Sequence, residues 1–261
     1  VRVSGNRIFD CRNGGIRIWR GESGPDGAVV VGNHISGIDW RGGGNGQNGN
    51  GINIFRADGV VVSDNSISDC AFSAIRLNAT NDTVVSGNTC LNSGEVAIFS
   101  EFAFSGSAIT GNVVDGAAAG ISMTNYIDGG RLATCSGNIV RNIFPRSEVN
   151  PDTTPYGIAA EADAVVSGNV VEPGNGVGIA VGWGPYLRDV LVTGNMVRGA
   201  EAGILVSVAE GAGAAAITNN MVSGATRYGI AASAWDEVRS ADLQADAARF
   251  PQLTVAGNVV V

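Results

Sequence analysis

The pattern Val-Ser-Gly-Asn, with close variants, recurs along the whole chain and constrains the fold more than any other feature. Most copies lie 23 to 27 residues apart. The asparagines of the ten copies are Asn6, Asn33, Asn65, Asn88, Asn112, Asn138, Asn169, Asn195, Asn220 and Asn258. A repeat of this period is typical of a solenoid, in which each unit buries its apolar side only by stacking on its neighbours.

Fixed positions around each asparagine indicate the geometry of one unit. The third residue before it and the second residue after it are Val, Ile or Cys in every unit. Such positions suit short strands whose side chains point inward. The residue immediately before the asparagine is Gly in eight units, and Asp64 and Asn219 in the other two. Gly, Asn and Asp tolerate a positive φ, so this position predicts a tight corner between two strands.

A second apolar position, a small residue followed by Ile, lies nine or ten residues after the asparagine in seven of the first nine units. It predicts a further strand, with alternate side chains pointing inward. Two or three strands and their corners per unit predict one turn of a parallel β-helix. Ten turns at about 4.8 Å each make a rod about 45 Å long. The stacked asparagines would pass side-chain hydrogen bonds along the rod as a ladder.

We therefore predict an all-β fold, a single-stranded parallel β-helix (solenoid) of about ten coils, with residues 1–261 forming one domain. Both ends of the chain fall inside a repeat, and no polar cap is visible there. Because solenoids need caps to cover their terminal rungs, we expect a segment of a longer protein.

The repeats resemble the right-handed parallel β-helix superfamily, which includes pectate lyases, polygalacturonases, alginate epimerases and periplasmic copper-reductase accessory proteins. The resemblance implies right-handed winding. The runs at 85–88 and 166–169, paired with Gly-Ile at 157–158 and 178–179, look more narrowly like a family of twin-arginine-translocated repetitive proteins without an established activity. The catalytic signatures of polygalacturonases and alginate epimerases are absent from this sequence, so neither activity transfers.

Three insertions interrupt the repeat, at 36–50, 141–156 and 233–252. The first two leave between the asparagine and the Ile strand, and we expect them along one edge of the rod. The third is Ala-rich from Asp236 to Arg249 and precedes Pro251, which predicts a short helix. Long loops on a rigid scaffold are frequent places for function.

Polar and aromatic side chains concentrate on the outward face of the Ile strands in the first six coils, beside the insertions. Polar groups that bind hydroxyls, together with flat rings that pack on sugar C–H faces, suit a sugar chain. The residues that we predict to bind such a substrate are Arg17, Trp19, Asn53, Phe55, Asn78, Tyr126, Trp40 and Trp183.

Glu101, Glu161 and Arg76 on the same face are the candidate catalytic residues. The two glutamates are two rungs apart, or roughly 9.6 Å, near the upper limit of the carboxylate separation in inverting glycosidases, about 6.5 to 9.5 Å. Arg76 could serve a polysaccharide lyase by stabilising a sugar carboxylate or acting as the base. Solvated charges on an exposed strand are the structural alternative.

The composition narrows the partners. A net charge of −8 disfavours nucleic acid, and no apolar run is long enough to cross a membrane. Cys90 and Cys135 occupy inward positions, while Cys11 and Cys70 lie two rungs apart, beyond disulfide reach. We expect four free thiols, no metal site and no cofactor.

Three functions follow from these residues. The first is an exported β-helix, periplasmic or secreted, that binds a polysaccharide or oligosaccharide on the outer face of its first six coils. The second is a polysaccharide lyase or glycoside hydrolase that acts in the same groove. The third is a structural repeat module without a ligand. The sequence does not determine the oligomeric state.

Overall fold

A computed structural model describes residues 1–44, 46–124 and 130–261, and its strands stack into three parallel sheets around an apolar interior. The first sheet contains the strands that precede each asparagine, and its ten strands lie in chain order. These strands are Arg2–Ser4, Val29–Val31, Val61–Ser63, Thr83–Ser86, Ser105–Thr110, Arg131–Ser136, Ala162–Ser167, Arg188–Thr193, Ala215–Thr218 and Leu253–Ala256.

The second sheet contains the strands that follow each asparagine. Its separate strands are Arg7–Cys11, His34–Ile38, Ser66–Cys70, Ile139–Ile143, Val170–Glu172, Met196–Arg198, Met221–Ser223 and Val259–Val260. The third sheet contains the Ile strands Gly14–Pro25, Asn50–Asp58, Ile75–Asn78, Tyr156–Ala160, Val177–Val181, Ala202–Ser207 and Tyr228–Ala234. Two longer strands, Thr89–Glu101 and Val113–Thr124, run through both sheets.

The strand register confirms the predicted columns of equivalent residues. In the third sheet, Ile52 pairs with Ile75, which pairs with Ile98, and Ile98 pairs with Ile121. All four side chains are fully buried. Each coil therefore contributes β-branched side chains to one continuous core, as a solenoid requires.

The corner before each asparagine also has the predicted conformation. Asp64 and Asn219 have positive φ, as do the eight glycines at the same position of the other units. The side-chain amide of each asparagine then donates to the side-chain oxygen of the next. These Nδ2–Oδ1 distances are 2.9 to 3.0 Å from Asn6 to Asn258. The predicted asparagine ladder is present over all ten units.

The first two insertions lie on one edge of the rod, as predicted, because both connect the second sheet to the third. They fold back onto the early coils. The amide of Asn53 donates to the carbonyl of Gly46 in the first insertion (2.8 Å), and the hydroxyl of Ser147 in the second donates to the carbonyl of Gly94 (2.6 Å). The insertions thus cover part of the third sheet.

The prediction of a helix over 236–249 is wrong. The segment begins with the strand Glu237–Ser240, which pairs antiparallel with Tyr228–Ala234, and ends with the short 3-10 turn Ala247–Arg249. Leu243 between them is fully buried in the core. An Ala-rich composition favours helix only where tertiary packing does not decide, and here the pairing and the burial of Leu243 decide.

The four cysteines are free thiols, as expected. Cys11 and Cys70 both pair with Ile38, one on each side, so they are two rungs apart. Cys90 and Cys135 are fully buried. Burial raises the pKa of each of these two thiols to about 12, so they act as small apolar side chains in the core.

Candidate functional site

The outward face of the third sheet divides into three stretches with different chemistry. The predicted outward columns are confirmed by the register, in which Arg17 pairs with Asn53 and Asn53 with Arg76. The first two coils carry aromatic rings, the third and fourth carry a buried ion-pair network, and the fifth to ninth line a cavity. Each stretch limits what the surface can bind.

The ion-pair network is centred on Arg76, whose side chain is 8% exposed. Its guanidinium donates to both oxygens of Glu101, with Nε–Oε1 at 2.6 Å and Nη2–Oε2 at 2.9 Å. The amide of Asn78 adds a third donor to Glu101 at 2.7 Å. Glu101 is only 4% exposed. Arg76 and Glu101 are therefore brought together, but as a bidentate pair whose groups are occupied by each other.

A second carboxylate, Glu95, lies on the other side of Arg76, with Oε2 3.8 Å from Nη1. Its Oε1 accepts a hydrogen bond from the amide of Asn150 in the second insertion (2.7 Å). The ring of Phe99 packs 5.3 Å from the guanidinium carbon. The interpretation of Glu101 and Glu161 as solvated surface charges is wrong, since both are buried.

Burial raises the pKa of Glu95, while the charge of Arg76 and the hydrogen bond from Asn150 act in the opposite direction. A raised folded-state pKa means that the folded chain binds the proton more tightly than the unfolded chain. The stabilisation that protonated Glu95 contributes is therefore fully present below pH 4.5, the ordinary pKa of a glutamate. It is lost as the pH rises through the pKa that Glu95 has in the folded protein.

We therefore expect Glu95→Gln to be more stable than the wild type at pH 7, and expect this advantage to disappear near pH 4. Gln keeps an oxygen to accept from Asn150 and removes the penalty of a buried charge. Urea unfolding of both proteins at several pH values measures the difference. A variant that is less stable at pH 7 would show that attraction to Arg76 outweighs desolvation.

Aromatic rings and arginines occupy the outward face of the first two coils. Trp19 and Phe55 pack edge to face with ring centroids 6.2 Å apart. Arg17 lies over the Trp19 ring at 4.9 Å, and Arg56 lies over the Phe55 ring at 4.8 Å. Trp19 is 44% exposed. This stretch is an exposed ridge of aromatic rings with stacked cations.

A cavity of about 290 Å³ opens on the same face further along the rod. Trp183 and Tyr156 supply aromatic surface, and Glu161 supplies a buried carboxyl group that is 3% exposed. Small side chains form the floor, among them Ala159 and Ala180, which occupy the outward column where Arg17 and Arg76 stand in earlier coils. Missing side-chain volume is what makes the surface concave.

Thr154 and Ser233 add hydroxyl residues to the lining of this cavity, and Thr124 lines it too, with its hydroxyl oxygen buried. The ring of Trp183 packs against the ring of Trp235 in the third insertion, with ring centroids 5.6 Å apart and nearly perpendicular planes. The hydroxyl of Ser207 donates to the carbonyl of Gly184 at 2.7 Å. The ring of Trp183 is thus fixed by its neighbours and remains 40% exposed.

Two predicted binding residues, Asn53 and Trp40, belong neither to the exposed ridge nor to the cavity. Asn53 is 3% exposed and holds the first insertion, so it is structural. Trp40 packs against Phe72 and faces a separate cleft of about 1000 Å³ between the first two insertions. Tyr126 lies outside the described residues. The sequence reasoning missed Glu95, Asn150 and Tyr156, which become neighbours of this face only when the insertions fold back.

Over the residues that the structure describes, there is no group of three or more His, Cys, Asp or Glu side chains placed to hold a metal ion. Within the same residues, no helix has the length and apolar character needed to span a bilayer.

Comparison with protein-family models supports the fold. A family model described as a right handed beta helix region matches residues 1–129, in agreement with the predicted winding. A search of curated proteins finds no match. Among solved structures, the chain is similar to DFA-IIIase from Arthrobacter chlorophenolicus A6 in complex with GF2, at 16% identity and a TM-score of 0.40. The alignment covers 100% of this chain but only 64% of that one.

Proposed function

We propose that this protein binds a carbohydrate, and that the cavity beside Trp183 on the outer face of the third sheet holds a terminal sugar unit. The observation that carries the proposal is the convergence of a fixed aromatic ring, a buried carboxyl group and several hydroxyls over a floor of small side chains. Aromatic rings pack on the apolar faces of pyranoses, and carboxyl and hydroxyl groups bind sugar hydroxyls.

The size and charge of the cavity favour a short ligand that carries no negative charge. About 290 Å³ is near the lower limit of ligand pockets, which is roughly 300 Å³. Glu161 is the one charged group among the described residues that line the cavity. A carboxylate in this place favours a neutral or amino sugar over a uronic acid, because two carboxylates in one small cavity would repel each other.

The proposed binding site lies further along the rod than the sequence predicts. The sequence places the site on the first six coils, whereas the cavity runs from Thr124 in the fifth coil to Ser233 in the ninth. The third and fourth coils offer fewer polar groups to a ligand, because Arg76, Asn78 and Glu101 bind one another. The ridge around Trp19 remains available as a secondary contact for a longer chain.

We expect Trp183→Ala to weaken binding of neutral oligosaccharides about tenfold or more, since truncating a central aromatic side chain commonly costs about 1 to 2 kcal/mol or more. Trp19→Ala is the matched control, because both rings are exposed on the same face at opposite parts of the rod. Isothermal titration with ligands found on a glycan array measures both. A loss with Trp19→Ala alone would return the site to the first coils, and unchanged binding in both variants would remove the proposed site.

A glycoside hydrolase is the second candidate, favoured by the position of Glu161, a buried carboxyl group in a cavity. Such enzymes need a second carboxylate, and Glu101, two rungs away, is held by Arg76 and Asn78. Release of reducing ends or of unsaturated products from a bound polymer would establish catalysis by a hydrolase or a lyase, respectively. Absence of any saccharide binding would favour a structural module.

Export to the periplasm or cell surface remains part of the proposal. It depends on the resemblance to twin-arginine-translocated repetitive proteins. Fractionation of cells that express the full-length protein tests it directly.

A further inference from the structure

The second sheet carries a continuous apolar ridge on its outer face. The residue directly after the asparagine points outward, and in six successive coils it is aliphatic or Met. Strand register aligns these residues one above another: Val113, Ile139, Val170, Met196, Met221 and Val259. Exposure of the four central residues is 42 to 44%. A contiguous apolar surface of this kind is unusual on a soluble monomer and marks an interaction surface.

A row of alternating charges runs beside the ridge, two residues further along each strand. In four successive coils it reads Asp115, Arg141, Glu172 and Arg198. Arg141 pairs with Asp115 at 2.8 Å, and Arg198 lies 3.7 Å from Glu172. These side chains are 27 to 68% exposed, so they remain able to meet charges of another molecule.

This row of charges is complementary to the same row in a second, antiparallel copy of the chain. The order acid, base, acid, base becomes base, acid, base, acid after a two-fold rotation about an axis that lies in the interface, perpendicular to the rod. With the axis between Arg141 and Glu172, each of these residues faces the other in the second copy, and Asp115 faces Arg198. The same rotation places Ile139 against Val170 and Val113 against Met196.

We propose that the protein forms an antiparallel dimer through this ridge, with a second copy of the chain as the partner. An isologous contact needs a surface that matches itself, and the reversed charge row supplies that match. About eight coils overlap in this arrangement, or about 38 Å of rod at strand spacing. About five residues at about 3.3 Å each give the contact a width of about 17 Å. The buried area is then roughly 650 Å² per partner, close to the roughly 800 Å² of standard interfaces.

Sedimentation equilibrium between about 1 and 100 µM tests the proposal, together with charge variants. The wild type is expected to approach twice the chain mass of 26.5 kDa. Arg141→Glu replaces a cation by a carboxylate opposite Glu172 of the second copy, and the two-fold axis makes this repulsion occur twice. We therefore expect the dissociation constant of the dimer to rise at least tenfold. The double variant R141E/E172R restores opposite charges across the axis, and we expect it to restore the dimer.

Val84→Lys is the matched control, because Val84 is a similarly exposed strand residue of the first sheet. It is expected to leave the dimer unchanged. A wild type that stays monomeric over the whole range overturns the proposal. So does a dimer that tolerates Arg141→Glu, or a double variant that fails to recover while its circular dichroism and melting temperature match the wild type.

Discussion

Replacing Arg76 by Met is expected to lower the free energy of unfolding by about 3 to 5 kcal/mol, the usual cost of leaving a buried charge without its partner. The change removes both charge-assisted hydrogen bonds to Glu101. It also leaves the Glu95 carboxylate without the guanidinium that lies beside it. Two carboxylates then share one buried site. Denaturant unfolding at pH 7 measures the loss.

Two controls separate burial from the mere loss of an ion pair. Arg188→Met breaks a similar bidentate pair with Asp163, at 3.0 and 2.6 Å, but the Arg188 side chain is 49% exposed. Its expected cost is about 0 to 1 kcal/mol. The triple variant R76M/E95Q/E101Q removes all three charges and is expected to recover much of the loss. Equal, small effects of R76M and R188M would show that the network is solvated in solution.

Asn112→Leu is expected to cost about 3 kcal/mol or more, because it interrupts the asparagine ladder in the middle of the rod. The Oδ1 atom of Asn112 accepts from the backbone and side-chain nitrogens of Asn88, at 2.9 and 3.0 Å. Its Nδ2 atom donates to the carbonyl of Val85 and to Asn138, both at 3.0 Å. Leu has a similar volume but satisfies none of these groups, and each unsatisfied buried group costs about 1 to 3 kcal/mol.

Asn6→Leu is the matched control at the first rung of the ladder. Asn6 is exposed, so water can replace the hydrogen bond from its Nδ2 atom to Asn33. We expect a change of less than about 1 kcal/mol. Thermal unfolding and protection of the Asn88 amide from hydrogen exchange report on both variants. A loss for Asn112→Leu that is no larger than for Asn6→Leu would mean that the ladder contributes little to stability.

Much of the β-helix was predictable because its rules are local and are repeated ten times. Another corner could have been found in the same way. Asp10, Asp69, Asn92 and Asn142 all lie four residues after the repeated asparagine, and all have positive φ. Asp and Asn at this position tolerate a positive φ, as do the Gly, Asp and Asn residues immediately before the repeated asparagine. Averaging over repeats is what makes such weak signals readable.

The candidate site was less predictable because it depends on the segments that do not repeat. Glu95 looks like an ordinary strand residue in the sequence, and it becomes a buried partner of Arg76 only when Asn150 folds over it. The small side chains Ala159 and Ala180 carry no chemistry of their own. Their importance lies in the space that they leave beside Glu161 and Trp183.

The sequence by itself determined the stacking of the coils, the inward columns, the corners and the ladder, because each follows from φ preferences and side-chain alternation within a single unit. The tertiary structure alone decided which outward residues remain accessible, where the surface is concave, and how the third insertion packs. These features arise from contacts between residues far apart in the chain, such as the pair Asn150 and Glu95, which are 55 positions apart. No local preference encodes such contacts, since the chain must first be wound before the insertions have a surface to cover.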